Sequence, residues 1–181
     1  TDRGRILADV RLYDEQGTGL SFYTNRIDTL TKQDMTLELS RINLREFRRI
    51  VPYMPDMEGQ LSGEVHYIDS DGSMMLSTDL RIDDFKYEGS PLGNWEMGGV
   101  YLPGEDNEHH VDAYVRLDGK EITHLGGVYQ AIQPGSETLT ADVELMHFPL
   151  HVINPFVPEK MVEFMGDVDG TLSMTGTPVR P

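Results

Sequence analysis

The sequence predicts a mainly β protein: a curved antiparallel half-pipe sheet built from repeats, carrying two short helices. Three observations point there. Apolar residues recur at every second position over most of the chain, turn residues punctuate these runs at hairpin intervals, and one glycine-marked phrase occurs twice.

The alternating runs come first. The clearest are "ILADVRLY" at 6–13, "MTLELS" at 35–40, "QLSGEVHYI" at 60–68 and "SMMLSTDLRI" at 73–82. They continue with "WEMGGVYL" at 95–102, "HVDAYVRLD" at 110–118, "ITHLGGVYQAI" at 122–132 and "TLTADVELM" at 138–146. In the fourth run Met74, Leu76, Thr78, Leu80 and Ile82 alternate with Met75, Ser77, Asp79 and Arg81, which predicts one apolar and one wet face. The linkers "DSDG" at 69–72, "LDGKE" at 117–121 and "QPGSE" at 133–137 supply the Gly, Asp and Pro of tight turns, so neighbouring strands should pair as a meander.

Helical spacing is confined to two segments. In "INLREFRRIVPYM" Leu44, Phe47, Ile50 and Val51 fall on one side of a helix over about 43–51, with Asn43 as N-cap and Pro52 as stop. In "FPLHVINPFVPEKMVEFMG" Leu150, Ile153, Phe156 and Val157 do the same over about 149–164, where Pro155 and Pro158 should break the helix into short turns. This is little helix with which to cover an apolar sheet face.

Superposing the two segments brings their neighbours along. Gly59 and Gly166 stand 107 residues apart, as do Gly63 and Gly170. The chain therefore divides into a first repeat unit at 35–138 and the start of a second at 139–181, and is expected to be a fragment of a longer repeat protein. Gly59, Gly63, Gly166 and Gly170 mark backbone bends or points of close approach.

Composition narrows the function. Asp and Glu number 31 against 15 Lys and Arg, a net charge of −16 that works against binding nucleic acid or an anionic membrane surface. With no cysteine there is no disulfide, thiolate metal site or cysteine nucleophile.

The phrase "GDVDGTLSMTGTPVRP", following a short helix with "INPFVP", resembles the C-terminal repeat region of the TamB translocation and assembly module family, relatives of AsmA. The resemblance is strongest over 138–181 and returns over 35–80, where "IDSDGS" replaces the Gly-Thr-Pro ending. It implies a β-taco-like half-pipe in the periplasm of a Gram-negative bacterium, within a protein whose inner-membrane anchor lies outside this sequence. It also implies passage of phospholipid acyl chains between the membranes in support of outer-membrane biogenesis, and an outer-membrane β-barrel partner.

By alternation, Leu61, Val65, Leu76, Leu80, Val115, Leu117, Val143, Leu145, Val168 and Leu172 would line such a lipid groove. A scaffold for outer-membrane barrel assembly or secretion, working by β-augmentation at open sheet edges, is the alternative, and the same edges would let the chain self-associate. A carbohydrate-binding domain using Trp95, Tyr101, Tyr114 and Tyr129 is a third reading, against their use in cross-strand packing.

No enzyme motif emerges: there is no nucleophile elbow or phosphate loop, and neither a catalytic residue nor a cofactor is expected. Asp69, Asp71 and Gly72 share only part of a calcium-loop spacing and read as a turn. "EDNEHH" at 105–110 reads as a polar loop, and Pro149 separates His147 from His151, so no metal site is expected. Arg41, Arg45, Arg48 and Arg49 read as a solvated face balanced by nearby acids.

Overall fold

The computed structural model describes residues 6–25, 31–51, 53–70, 73–104, 107–131, 137–157 and 162–177. They form one ten-stranded sheet in which every strand pairs with its sequence neighbour. The strands are β1 Asp9–Tyr13, β2 Gly19–Thr24, β3 Thr31–Asn43, β4 Met57–Ser70 and β5 Ser73–Tyr87, then β6 Ser90–Pro103, β7 Glu108–Leu117, β8 Lys120–Ala131, β9 Glu137–Pro149 and β10 Asp167–Gly176. All pairings are antiparallel, and β1 does not pair with β10, so the sheet is an open, curved half-pipe rather than a barrel.

Each of the eight alternating runs overlaps a strand. Strands β2 and β10 are not among those runs, because "GLSFYT" is short and "DVDGTLSMTG" is diluted by glycine and hydroxyl residues. Between β7 and β8, Asp118 and Gly119 both have positive φ (48° and 77°), the backbone of a two-residue primed turn. Glu88 and Gly89 repeat it between β5 and β6 (48° and 75°), a turn hidden within the apparently continuous "FKYEGSPLG". Residues 71–72, 105–106 and 132–136, on which parts of the other expected turns and of the polar loop fall, lie outside the described residues.

The curvature has a local source. Four strand pairs carry an irregularity of the same form, in which two ladder steps on one strand oppose three on the other; in β4–β5 the register passes from Glu58↔Lys86 to Gln60↔Asp83, around the same Asp84 that serves β5–β6. In β3–β4 the register passes from Leu39↔Gly63 to Ile42↔Leu61, in β5–β6 from Ile82↔Trp95 to Phe85↔Gly93, and in β9–β10 from Leu145↔Gly170 to Phe148↔Val168. Each longer side holds one residue in the left-handed region: Arg41 (φ 50°), Asp84 (52°) and His147 (48°).

Each of these residues points its amide across to a polar side chain on the next strand. The Arg41 N–H donates to Ser62 Oγ at 2.9 Å, Asp84 to Asn94 Oδ1 at 3.0 Å and His147 to Asp169 Oδ1 at 2.7 Å. Such bulges bend the strand and increase its twist. Ser62 and Asp169 also stand 107 residues apart, so the bulge and its acceptor recur with the sequence repeat.

Helix α1, Leu44–Ile50, follows β3 directly, and the Asn43 side chain accepts from the Arg45 amide as the expected N-cap. Its basic residues are balanced on the surface: Arg45 pairs with Glu58, Arg48 with Asp56 at 3.6 Å and Arg49 with Glu46. The hydrogen bond from Arg45 comes first among the causes that hold the half-buried Glu58 carboxyl below its ordinary range.

The second helical segment is shorter than the expected 149–164. It is a 3-10 helix over Leu150–Phe156 containing Pro155, with residues 158–161 outside the described residues. A proline has no amide for an α-helical ladder and its ring crowds the preceding turn, so the tighter and shorter form results.

There is no second sheet against this one among the described residues. The chain exposes 12646 Å² of surface, where a compact protein of 20.5 kDa would expose roughly 8,800 Å². Among the described residues six apolar ones are buried, and four of them, Leu92, Leu117, Ile122 and Val152, form one cluster at the bulged end of the sheet.

Two predictions follow from this architecture. Asn94→Ala removes the acceptor for the Asp84 amide and should lower stability by about 1 kcal/mol in urea unfolding; unchanged stability would mean that the ladder alone holds the bulge. Ile122→Ala in the buried cluster should cost about 2–4 kcal/mol, whereas Leu172→Ala, on a residue 69% exposed, should cost less than about 0.5 kcal/mol.

Candidate functional site: the concave apolar face

Directly paired residues of neighbouring strands share a face, so the register can be followed across the sheet. One row runs through all ten strands: Val10, Phe22, Leu37, Val65, Thr78, Gly99, Ala113, Leu125, Val143 and Leu172. It contains no charged residue. The row beside it runs from Gly63 through Leu80, Met97, Val115, Thr123 and Leu145 to Gly170. Beyond these, Leu61 pairs with Ile82, Leu76 with Tyr101, Trp95 with Leu117, and Phe148 with Val168.

The ten residues that alternation selects therefore stand on a single face. Leu117 is buried, Leu61, Val65, Leu80, Val115, Val143 and Leu145 are half-buried, and Leu76, Val168 and Leu172 are exposed.

The opposite face is polar. There the row Ser21, Glu38, Glu64 and Asp79 crosses β2 to β5, and Arg81, Glu96, Arg116 and Glu121 alternate in sign across β5 to β8. Tyr114 lies over Gly98 on this side, where an added Cβ would come within 2.4 Å of its ring, and beneath the Arg116 guanidinium at 4.3 Å.

The apolar face is the concave one. Phe85 on β5 and Phe148 on β9 both pack on the cluster of Leu92, Leu117, Ile122 and Val152. Four strand spacings would hold them about 19 Å apart in a flat sheet. The 3-10 helix fills this end: Val152 is buried, and the Phe156 ring lies 4.4 Å from that of Tyr87.

Beside the helix a cavity of about 600 Å³ remains open, lined by Ile82, Phe85, Trp95, Met97, Val115, Phe148 and Ile153 among others. Trp95 meets Phe85 edge to face at 6.5 Å and donates its indole N–H to the Leu92 carbonyl. The indole's one polar atom is thus satisfied without breaking the apolar lining.

A second concavity of about 400 Å³ lies further along, lined by Tyr101, His109, Val111, Leu125, Tyr129, Leu139 and Ala141 among others. Trp95, Met97, Gly99 and Tyr101 follow one another along β6 on this face and join the two hollows over about 20 Å. His109 stacks between Tyr101 and Tyr129, with centroids 5.7 and 5.8 Å away, and its Nδ1 lies 2.6 Å from the Tyr101 hydroxyl.

This aromatic stack was not legible from "EDNEHH". The signal was strand parity, which sends His109 to the concave face and His110 to the other, where it meets Glu108 at 2.7 Å.

The four glycines singled out by the repeat behave differently. Gly59 and Gly63 have φ of 133° and 138°, and the β5 backbone passes within 2.9 and 2.1 Å of where their Cβ atoms would stand. Gly166 also has a positive φ (87°), Gly170 lies outside the left-handed region, and neither would bring a Cβ within 4 Å of another group.

The arrangement suits an elongated apolar ligand. Among the described residues no three His, Cys, Asp or Glu side chains gather to hold a metal ion, and no helix is long and apolar enough to cross a membrane. His147 meets Asp169 at 3.0 Å in the bulge rather than His151. Trp95, Tyr101 and Tyr129 share the concave face, while Tyr114 faces the other way, so the four aromatics form no common platform.

On the polar face His124 lies 3.2 Å from Glu121 and 3.1 Å from Asp112. Partial burial works to lower its pKa, but the Glu121 hydrogen bond and then the Asp112 charge outweigh it, leaving the imidazole above its ordinary value of 6.5. A raised pKa favours the charged form in the folded state, so this stabilisation is full below about pH 6.5 and is lost as pH rises through the higher folded value. His124→Gln should flatten that part of the stability–pH curve in urea titrations between about pH 6 and 8.

Compared with protein-family models, with curated proteins and with solved structures, the chain matches none.

Proposed function

We propose that this chain is a segment of a periplasm-spanning lipid conduit of the TamB type, in which the concave face carries phospholipid acyl chains between the inner and outer membranes and so supports outer-membrane biogenesis. The observation that carries the reading is the uncharged row crossing all ten strands on a face whose main cover, among the described residues, is the 3-10 helix and one buried cluster.

Uncovered apolar surface costs about 25 cal/mol per Å² in water, and each acyl methylene buried on it contributes about 0.8 kcal/mol. Flexible chains suit such a trough, because the surface is continuous and has few polar atoms to impose one orientation. The acidic residues of the central rows point to the other face, so a lipid in the trough would not meet them.

The remaining parts of the proposal rest on the resemblance. Units 35–138 and 139–181 are taken as successive copies, the protein as held by an inner-membrane anchor outside this sequence, and a barrel in the outer membrane as its partner. The recurring bulge with its Ser62 and Asp169 acceptors supports the repeat.

The test is photo-crosslinking in Gram-negative cells with a benzophenone amino acid at Leu76, which faces the trough, and separately at Ser77, which faces away. Phospholipid adducts should form at Leu76 and be at least ~10-fold weaker at Ser77. Equal labelling at both sites, or protein adducts alone, would overturn the conduit and favour an assembly scaffold.

A further inference from the structure

We propose that the hollow around Tyr101, His109 and Tyr129 is the head-end subsite of the trough, holding the uncharged carboxyl ester of an acyl chain whose tail lies against Trp95. The assignment rests on the reading of the concave face as a lipid trough and deepens it, since it fixes which end of the acyl chain lies where.

The two hollows differ in chemistry. Around Trp95 the lining is aliphatic and aromatic, and apart from the Thr123 hydroxyl its polar side-chain atom is the indole N–H, which the Leu92 carbonyl takes up. Around Tyr101 the lining carries two phenol hydroxyls and an imidazole. Among the described residues neither lining holds a Lys, Arg, Asp or Glu.

The phenol and the imidazole leave a donor unused. His109 Nδ1 and the Tyr101 hydroxyl stand 2.6 Å apart. Where the phenol donates, the ring proton sits on Nε2; where Nδ1–H donates, the phenol proton is left over. In each tautomer one hydrogen of the pair has no side-chain or backbone acceptor among the described residues, and the Tyr129 hydroxyl adds another. Stacking between Tyr101 and Tyr129 holds the imidazole in place.

Donors without a cation select an acceptor without full charge. A phosphate or an ionised carboxylate would give up hydration in this hollow and meet no opposing charge, whereas an ester carbonyl needs only one or two hydrogen bonds. Space and length agree. Gly127 pairs with Val111 and with Ala141, and a Cβ at Gly127 would approach nothing more closely than 3.6 Å, so the hollow is the room that small residues leave.

Along β6, Tyr101 stands about 20 Å from Trp95. An acyl chain spans about half of the ~30 Å hydrocarbon core of a bilayer, roughly 15 Å. With its tail beside Trp95, an acyl chain lying along the strands therefore brings its ester to Tyr101 and His109, and the charged head lies beyond them.

Trp95 is the protein's one tryptophan, so its fluorescence reports which end of an acyl chain is near. The test titrates the full protein with single-chain phospholipids below their micelle concentration, brominated either near the methyl end or next to the ester, because bromine quenches indole only at short range. Methyl-end bromines should quench at least ~3-fold more, since each hydrogen bond at the far end biases the orientation about fivefold. Tyr101→Phe combined with His109→Leu should bring the two lipids to equal quenching. Gly127→Val, which fills the hollow without a clash, should do the same. A brominated fatty acid at about pH 8, where its carboxyl is ionised, should bind at least ~3-fold more weakly than the monoacylglycerol of the same acid.

No quenching by either phospholipid would overturn the acyl-chain reading of the trough and this assignment with it. Equal quenching in the unmodified protein, stronger quenching by ester-side bromines, a ratio that both variants leave unchanged, or equal binding of the fatty acid would leave that reading standing and overturn the head-end subsite alone.

Discussion

The structure depends on the absence, among the described residues, of a second layer. A sheet normally hides its apolar face against another sheet or against helices. Here one short 3-10 helix and a cluster around Leu92, Leu117, Ile122 and Val152 are the main cover. Backbone ladders between consecutive strands therefore carry most of the structural definition, and side-chain burial is concentrated at one end.

That constraint explains why the bulges matter. Without a partner layer to impose a shape, the sheet takes its curvature from within, and Arg41, Asp84 and His147 supply it at three places. Each strains one residue into the left-handed region, and each satisfies its amide with a side chain from the next strand. Asn94 is further engaged with Asp118 at the β7–β8 turn, through its backbone amide at 2.9 Å and its side-chain amide at 3.0 Å, so bulge and turn support one another. This brings Phe85 and Phe148 onto one cluster and shapes the trough in which an apolar ligand would lie.

Charge is sorted by the same geometry. The pleat sends successive residues to opposite faces, so a chain with net charge −16 can keep an uncharged row across ten strands. Facing acids on the polar side, such as Glu38, Glu64 and Asp79, repel one another, while the Arg81, Glu96, Arg116 and Glu121 ladder offsets part of that. The acidic surface also disfavours association with nucleic acid or anionic bilayers, which accords with the proposal that acyl chains would lie on the other face.

The sequence by itself determined the strand class, the helix at Leu44–Ile50 with its Asn43 cap, and which residues share a face, because period two, capping chemistry and hairpin turns are local properties. The parity of Leu76 against Ser77 was readable, and the pairing register carries it to Leu61, Val115 and Leu172. Several features needed the tertiary structure, because they depend on which backbone lies next to which. The left-handed bulges, the hidden turn at Glu88 and Gly89 and the stacking of His109 between two tyrosines have no signature in hydrophobic period. The different fates of Gly63 and Gly170, identical in the repeat, arise because one lies against a neighbouring strand and the other stands at an open edge.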